Sequence, residues 1–154
     1  MGKIVIRDAC IADMFEIEPL LRKVDVEEAR VASGKDLLES LIFGVNTSVK
    51  CKFARAEDGR PLCVFGVTRQ TVLGSTGVIW MVGTDLMNQY SRQFLRQCRN
   101  DIDKITKGFK IVHNYCDARN SITMRWLLWL GFTIEDAQPY GRYGMPFHHF
   151  WRKS

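Results

Sequence analysis

Two short hydrophobic segments in the middle of the chain limit its fold more than any other feature. Residues 62–65 and 78–82 consist entirely of hydrophobic side chains, which is typical of strands that are buried on both faces. The stretch 47–53 alternates between polar and apolar residues, and a turn at 57–61 follows it, so 47–69 is expected to form an antiparallel hairpin. We therefore expect these strands at the centre of a sheet that helices cover on both faces.

Helical periodicity flanks these central strands. Apolar residues recur there at spacings of three and four, which predicts amphipathic helices. Pro19 should interrupt the first helix, and the pair Ser33-Gly34 should interrupt the second. The expected helices lie at 14–24, 27–43, 91–107 and 120–130, and the remaining strands lie at 3–7, 110–116, 132–137 and 145–152.

The order of elements is therefore β-α-α-β-β-β-α-β-α-β-β. It predicts an α/β (α+β) protein with a mixed, mostly antiparallel central sheet that helices cover on both faces. Because the chain has 154 residues and no linker or repeat interrupts it, we expect a single domain over residues 1–154.

The composition is that of an ordinary globular protein. Hydrophobic residues make up 46% and charged residues 25% of the chain, which excludes intrinsic disorder. The sequence shows no membrane segment and no signal sequence, so we expect a cytoplasmic protein. Five cysteines without a C-x-x-C motif favour reduced thiols and argue against a metal site. A net charge of +5 without runs of like charge argues against a nucleic-acid partner.

Two segments carry a resemblance to a known family. The sequence IRDACIAD at 6–13 resembles the first strand and helix entry of the GCN5-related N-acetyltransferases, and the stretch from Asn120 to Gly131-Phe132 resembles their late helix. With the order of elements, the resemblance covers nearly the whole chain and implies the acyl-CoA N-acyltransferase fold. More narrowly, the chain resembles phage internal virion proteins of the A type, through 81–85, the basic helix that follows and the aromatic strand 147–151.

This resemblance implies acetyl-CoA as the cofactor and an amine as the acceptor. The family binds the pyrophosphate of CoA with a glycine-rich loop, but no glycine lies between Gly83 and Gly108. Two interpretations stay open. Either Ser91 caps the next helix and the arginines after it contact phosphates, or these arginines are the solvated face of a surface helix. The candidate cofactor-binding residues are Val82 and Gly83, whose main-chain N–H groups would hold the acyl carbonyl, with Ser91, Arg92, Arg96 and Asn120.

The resemblance also implies a tyrosine seven residues after Asn120 that protonates the departing thiolate. Leu127 stands at that position and cannot act as an acid. For the general base, which takes a proton from the amine, the candidates are His113 and Tyr115 on the fifth strand. Asn120 is the third candidate catalytic residue. A histidine with satisfied hydrogen bonds is the alternative for His113. Four residues near the end of the chain are candidates for lining a cleft, namely Tyr140, Tyr143, His148 and His149.

The helix at 122–130 is apolar on more than one face. Trp126 and Trp129 are candidate anchors for a partner protein, unless the closing strands cover the second face of this helix.

Two functions stay open from the sequence. The first is an acetyltransferase-like enzyme of phage or prophage type, which transfers an acyl group from acyl-CoA to an amine in the host cytoplasm. The second is a non-catalytic internal virion or assembly protein that uses the fold to bind phage proteins and is associated with the virion.

Overall fold

A single sheet of eight strands forms the centre of the protein. The computed structural model describes residues 2–153. The strands are β1 (Ile4–Asp8), β2 (Ser48–Ala56), β3 (Pro61–Arg69), β4 (Thr76–Gly83), β5 (Ile111–Asp117), β6 (Thr133–Ile134), β7 (Gln138–Tyr140) and β8 (Met145–Lys153). The helices are α1 (Ile11–Ile17), α2 (Lys23–Ser33), α3 (Leu37–Thr47), α4 (Met87–Thr106) and α5 (Ser121–Trp129), with a 3₁₀ turn at Glu18–Leu20.

The strands follow the order β1-β2-β3-β4-β5-β8-β6, and β7 pairs with β8 beside this path. Every pair is antiparallel except β4 and β5. These two are parallel because α4 crosses over between them. The predicted mixed, mostly antiparallel sheet is confirmed.

Helices pack on both faces of the sheet because β3 is buried on both. Phe65 faces the hydrophobic cluster that α4 and α5 complete, for example with Phe94. Its neighbour Val64 faces the cluster of α1 and α3, with Met14 and Leu41. This alternation is what the apolar segment 62–65 predicts. Within residues 2–153, no helix is both long and apolar enough to cross a membrane.

Both predicted helix breaks are confirmed. Pro19 lies in the 3₁₀ turn after α1. Gly34 ends α2 in the left-handed conformation (φ 67°), which glycine adopts without strain. The extended residue Leu21 separates the 3₁₀ turn from α2, so Val24 belongs to α2 and not to the first helix as expected.

Other elements also differ from the prediction. The strand expected at 132–137 is only Thr133–Ile134, and α3 extends beyond residue 43 to Thr47. α4 begins at Met87 and not at Ser91, because Thr84 still pairs with β3 and the chain turns into the helix directly afterwards. The prediction also omits β7, which contains Pro139 and whose residues are all exposed. A short exposed strand with a proline has no alternating pattern to reveal it.

The parallel strands β4 and β5 pair over only part of their length. Thr76–Val78 align with Ile111–His113, and beyond this point the two strands continue without pairing. At the point of separation, the side-chain amide of Asn114 donates to the carbonyl oxygen of Ile79 at 2.7 Å. The sheet is therefore open between the carboxyl ends of β4 and β5.

Candidate active site

A cavity of about 240 Å³ lies where β4 and β5 separate. Trp80 on its wall packs with the α1 and α3 cluster, whereas Met81 packs with the α4 and α5 cluster. Because neighbouring strand residues face opposite sides of a sheet, the cavity passes through the sheet. The other elements around it are α2, β3, α4, β5, α5, β7 and β8. Their lining residues include Glu28, Ala29, Tyr115, Thr123, Leu127, Tyr140 and Phe147.

Hydrogen bonds join the last residue of β4 to Asp25 on α2 and to Arg22, the residue that precedes α2. The N–H of Gly83 donates to Asp25 Oδ2 at 2.8 Å, and its carbonyl accepts from the N–H of Arg22 at 2.8 Å. Arg22 and Asp25 also form a buried ion pair with two hydrogen bonds of 2.9 Å. The guanidinium of Arg22 lies 5.0 Å from the centre of the Trp126 ring. The N–H of Gly83, a predicted donor to the acyl carbonyl, is thus occupied by Asp25.

Met81 is the residue of β4 that turns its backbone groups into the cavity. In an antiparallel pair, alternate residues direct both backbone groups to the partner strand. The N–H of Thr84 donates to the carbonyl oxygen of Leu62 at 2.9 Å, so the backbone groups of Val82, two residues earlier, also point to β3. The backbone groups of Gly83 and Met81 point away from β3. The expected main-chain donor at this strand end is therefore Met81 and neither Val82 nor Gly83.

Glu28 lies on the cavity wall and has no basic partner among residues 2–153. One turn after Asp25 on α2, its carboxylate accepts hydrogen bonds from the N–H of Asp117 (2.8 Å) and from the side-chain amide of Asn120 (3.1 Å). Burial raises the pKa of Glu28 to about 7, and the two hydrogen bonds oppose this shift only in part. A carboxyl group with such a pKa exchanges a proton near neutral pH, as a general base must.

Asn120 holds Glu28 in place from the N-terminus of α5. Its Oδ1 accepts from the N–H of Thr123 at 3.3 Å and caps the helix, while its amide nitrogen donates to Glu28. Asn120 is buried, and both the oxygen and the nitrogen of its side-chain amide have hydrogen-bond partners within the protein. The residue that the sequence names for catalysis and cofactor binding thus positions Glu28 and lies outside the cavity lining.

Tyr115 is the predicted catalytic residue that the structure does bring to the cavity. Its ring stacks on the ring of Tyr140, with 3.9 Å between centroids, and Tyr140 lies 5.2 Å from Phe147. These rings from β5, β7 and β8 form an aromatic wall. Of the four residues expected to line a cleft, Tyr140 lines this cavity, whereas Tyr143, His148 and His149 do not.

His113 lies outside the cavity lining. Its Nδ1 is 2.9 Å from Nε2 of His149, and its Nε2 is 2.5 Å from Oε1 of Gln70. Burial, and next the neighbouring His149, lowers the pKa of His113. Both ring nitrogens of the half-buried His113 thus have hydrogen-bond partners, as the alternative interpretation expects, and its catalytic role stays a prediction.

Comparison with known proteins gives matches among solved structures alone; no family model and no curated protein matches the chain. A putative phosphinothricin N-acetyltransferase superposes with a TM-score of 0.72 at 10% identity, over 98% of each chain. A GCN5-related N-acetyltransferase from Kribbella flavida superposes at 0.70 with 16% identity, also over 98% of each chain. Spermidine N-acetyltransferase from Vibrio cholerae, in complex with CoA and spermine, superposes at 0.70 with 10% identity, over 98% of this chain and 95% of that chain.

This chain has the GCN5-related N-acetyltransferase fold. The fold class predicted from the sequence is thereby confirmed. Solved structures with this fold contain CoA or acetyl-CoA. Two places in this chain bear on the fit of such a group: the split between β4 and β5, and the start of α4.

The split fits the pantetheine arm. Its walls are mostly apolar, and the hydroxyl of Thr123 on the wall is buried without a hydrogen-bond partner among residues 2–153. A buried polar atom without a partner is costly, and an amide of the arm would satisfy it. The backbone of Met81 offers further polar groups to the same arm.

The start of α4 does not fit a pyrophosphate. Leu86, and not Ser91, is the N-cap residue, so the predicted cap at Ser91 is wrong. The N–H groups of residues 87–89 donate to carbonyl oxygens three residues earlier, each at 3.1 Å, and are not directed at a ligand. The exposed carboxylate of Asp85 adds a negative charge at the same place, which repels phosphate.

Arg92 and Arg96 are exposed on α4 and form no ion pair within the described part of the chain. Arg99 shares their side of the helix, and its guanidinium lies 4.7 Å from the centre of the Trp129 ring. The predicted contact of Arg92 and Arg96 with phosphates stays a prediction, since exposed arginines fit a solvated helix face equally well.

The two candidate anchor residues on α5 differ in exposure. Trp126 is only 7% exposed and packs beneath Arg22, so its predicted role as a surface anchor is wrong. Trp129 is 45% exposed and its neighbour Leu128 is 60% exposed. The predicted interface therefore retains Trp129 alone of the two tryptophans.

Three residues of the site, Glu28, Met81 and Thr123, are not among those that the sequence predicts. The sequence does contain one signal for Glu28: the acids Asp25 and Glu28 share a helix face with small alanines. The same pattern occurs on solvated helix faces, so it does not distinguish a site residue from a surface residue.

Proposed function

We propose that this protein transfers an acyl group from a pantetheine thioester, with acetyl-CoA as the first donor to test, to an amine. The observation that carries the proposal is Glu28, a carboxylate with a pKa of about 7 that forms no ion pair within residues 2–153 and lies on the wall of a cavity that passes through the sheet. Two solved structures with the same fold support it: one contains CoA and spermine, and another, from Salmonella typhimurium, contains acetyl-CoA.

Met81 and Thr123 hold the donor. The thioester lies in the split, where the N–H of Met81 donates to the acyl carbonyl oxygen as negative charge develops on it. The hydroxyl of Thr123 pairs with an amide of the arm. The aromatic and aliphatic walls exclude water, which strengthens both hydrogen bonds.

Glu28 accepts the proton of the amine. The amine nitrogen attacks the carbonyl carbon, the new C–N bond forms, and the C–S bond breaks. The amine proton passes to Glu28, and the thiolate leaves and takes a proton from solvent, since Leu127 supplies no acid. Tyr115 bounds the site and orients the amine, and Asn120 keeps Glu28 at the cavity wall.

The nucleotide of the donor lies outside the split, near the α4 arginines. Arg92 and Arg96 contact its phosphates there, and Ser91 lies on α4 one turn before Leu95 of the cavity lining. Val82 and Gly83 contribute by holding β4 in place.

Glu28→Gln tests the proposal, with Glu27→Gln as the matched control. Glu27 is the preceding residue on α2 and is paired with Arg30 outside the cavity. With acetyl-CoA and a primary amine, we expect kcat/KM of Glu28→Gln to fall by about 10²–10⁴ and that of the control to be unchanged. Product mass spectrometry and calorimetric titration with acetyl-CoA provide the readouts. No binding and no product in the parent protein would reject the proposal.

A non-catalytic role as an internal virion or assembly protein of phage type is the second candidate. The start of α4, which lacks a pyrophosphate cradle, and the exposed pair Leu128 and Trp129 favour it. Trp129→Ala should then abolish capture of phage assembly proteins, whereas Phe43→Ala, at an exposed residue on α3, should not. Equal capture by both variants would remove α5 as the anchor.

A further inference from the structure

We infer that the acceptor is a primary amine on an apolar skeleton with no second positive charge. The inference rests on the proposed function and adds the class of acceptor. It comes from a comparison of the carboxylates around the cavity, followed by the chemistry of the wall that the acceptor must touch.

Glu28 is the single carboxylate of this region that forms no ion pair among residues 2–153. Each of the surrounding acids is paired: Asp25 with Arg22, Glu27 with Arg30, Asp117 with Arg119, and Glu135 with His149. Glu28 receives hydrogen bonds from neutral donors, which include the main chain of Asp117 and the amide of Asn120. An ammonium group at Glu28 supplies the missing partner, and the burial that raises its pKa strengthens this attraction. The site thus has a place for one cation.

The remainder of the acceptor contacts apolar surface. Next to Glu28, the wall continues with Ala29 and Ala32 on α2, and the stacked pair Tyr115 and Tyr140 lies across from β4. Within the lining, Asp25 is the other carboxylate, and Arg22 and the N–H of Gly83 already occupy its oxygens. A second ammonium close to the first would lose its water against these side chains without gaining a counter-charge, which is costly.

The aromatic wall also favours an aryl or alkyl skeleton. Tyr115 and Tyr140 stack nearly in parallel, at an angle of 11°, and the Phe147 ring lies beside Tyr140 with a tilt of 57°. An aryl or alkyl group gains from burial against such rings. The loop after β7 closes one side, since the N–H of Arg142 donates to Ala32 at 3.1 Å.

Matched amines test this inference. With acetyl-CoA at pH 8, kcat/KM is measured for butylamine against 1,4-diaminobutane, and for 2-phenylethylamine against spermidine. We expect each monoamine to exceed its polycationic counterpart by about tenfold or more, the factor that about 1.4 kcal/mol of uncompensated desolvation produces. Equal values, or a preference for the polyamines, would overturn the inference and leave the proposed function standing.

A charge placed on the wall sharpens the test. Tyr140→Glu should raise the diamine-to-monoamine ratio at least about tenfold above that of Tyr140→Ala, which removes the same ring without adding charge. An unchanged ratio would contradict the inferred role of the wall. If no amine is acylated, the proposed function fails. Calorimetric Kd values for butylamine and 1,4-diaminobutane then decide the inference. Tighter binding of the diamine overturns it, and tighter binding of the monoamine supports it.

Discussion

The side-chain amide of Asn120 donates a hydrogen bond of 3.1 Å to the carboxylate of Glu28, which lies 92 residues earlier in the chain. This contact joins α2 to the N-terminus of α5 across the split sheet. The same amide group caps α5 through its oxygen, so one residue both starts a helix and orients the buried carboxylate. Because the loss of a hydrogen-bond donor raises the pKa of a carboxylate, substitutions of Asn120 can test the role of Glu28.

Replacing Asn120 should change the pH dependence of acyl transfer. Asn120→Asp keeps an acceptor for the N–H of Thr123 but exchanges the donor to Glu28 for a second negative charge. Because both changes disfavour the ionised form, the pKa of Glu28 should rise above 7, and the midpoint of the kcat/KM profile should move up by about one pH unit or more. Asn120→Ser keeps the cap without the charge and should shift the midpoint less. An unmoved midpoint in Asn120→Asp would show that Glu28 is not the titrating group.

Glu28 should also make folding stability depend on pH. Its carboxyl binds a proton more tightly in the folded protein, with a pKa of about 7, than at the ordinary value of 4.5. The protein is therefore most stable, as far as this group is concerned, below pH 4.5, and it loses stability as the pH rises to about 7.

Glu28→Gln removes this loss. At pH 8 the variant should gain up to about 3 kcal/mol of unfolding free energy relative to the parent, and near pH 4 it should gain little. Urea unfolding at both values measures the difference, with the exposed Glu39→Gln on α3 as control. A gain that is the same at both pH values would mean that the carboxyl is not buried as the structure shows.

The nucleotide of the acyl donor should contribute little to transfer. The first N–H groups of α4 are bonded within the helix start, and Asp85 is negatively charged beside them. We therefore expect kcat/KM with acetyl-pantetheine to lie within about tenfold of that with acetyl-CoA, since water and salt weaken the contacts of the exposed Arg92 and Arg96 with phosphates and the other donor contacts lie in the split. Asp85→Asn should raise the affinity for CoA about two- to fivefold by removing a repulsion, and it should leave acetyl-pantetheine unaffected. A preference for acetyl-CoA of a thousandfold would refute this expectation.

The two tryptophans of α5 should differ in their effect on stability. Trp126→Ala removes a buried ring beneath Arg22 and should cost about 3–5 kcal/mol of unfolding free energy. Trp129→Ala loses an exposed contact with Arg99 and should cost about 1 kcal/mol or less. Chemical denaturation of both variants measures the two costs. Similar values would contradict the exposures of 7% and 45%.

The local pattern of residues determined the sheet and its helices. Two strands with hydrophobic side chains on both faces must be covered on both sides, and the structure places them as β3 and β4. Pro19 interrupts a helix because it has no backbone N–H, and Gly34 ends one because glycine adopts a positive φ without strain. These features depend on residues close together in sequence, and for that reason the fold class followed from the chain alone.

For helix α5, the periodicity of apolar residues does not determine which side chains are buried. Because this helix is apolar on more than one face, the sequence offered no criterion for choosing between Trp126 and Trp129. The choice depends on Arg22, which reaches Trp126 from before α2. The start of α4 likewise follows from the pairing of Thr84 with Leu62 in β3, and the sequence placed it too late.

The candidate site was decided by the tertiary structure. Glu28 differs from a surface glutamate only because Asp117 and Asn120, from distant parts of the chain, donate to it while the surrounding elements bury it. Met81 differs from its neighbours only through the register of β4 on β3. Desolvation is the joint effect of many side chains, and strand register is a relation between two segments. Neither property belongs to a residue before the chain has folded, so the sequence alone specified the scaffold while its chemistry arose from packing.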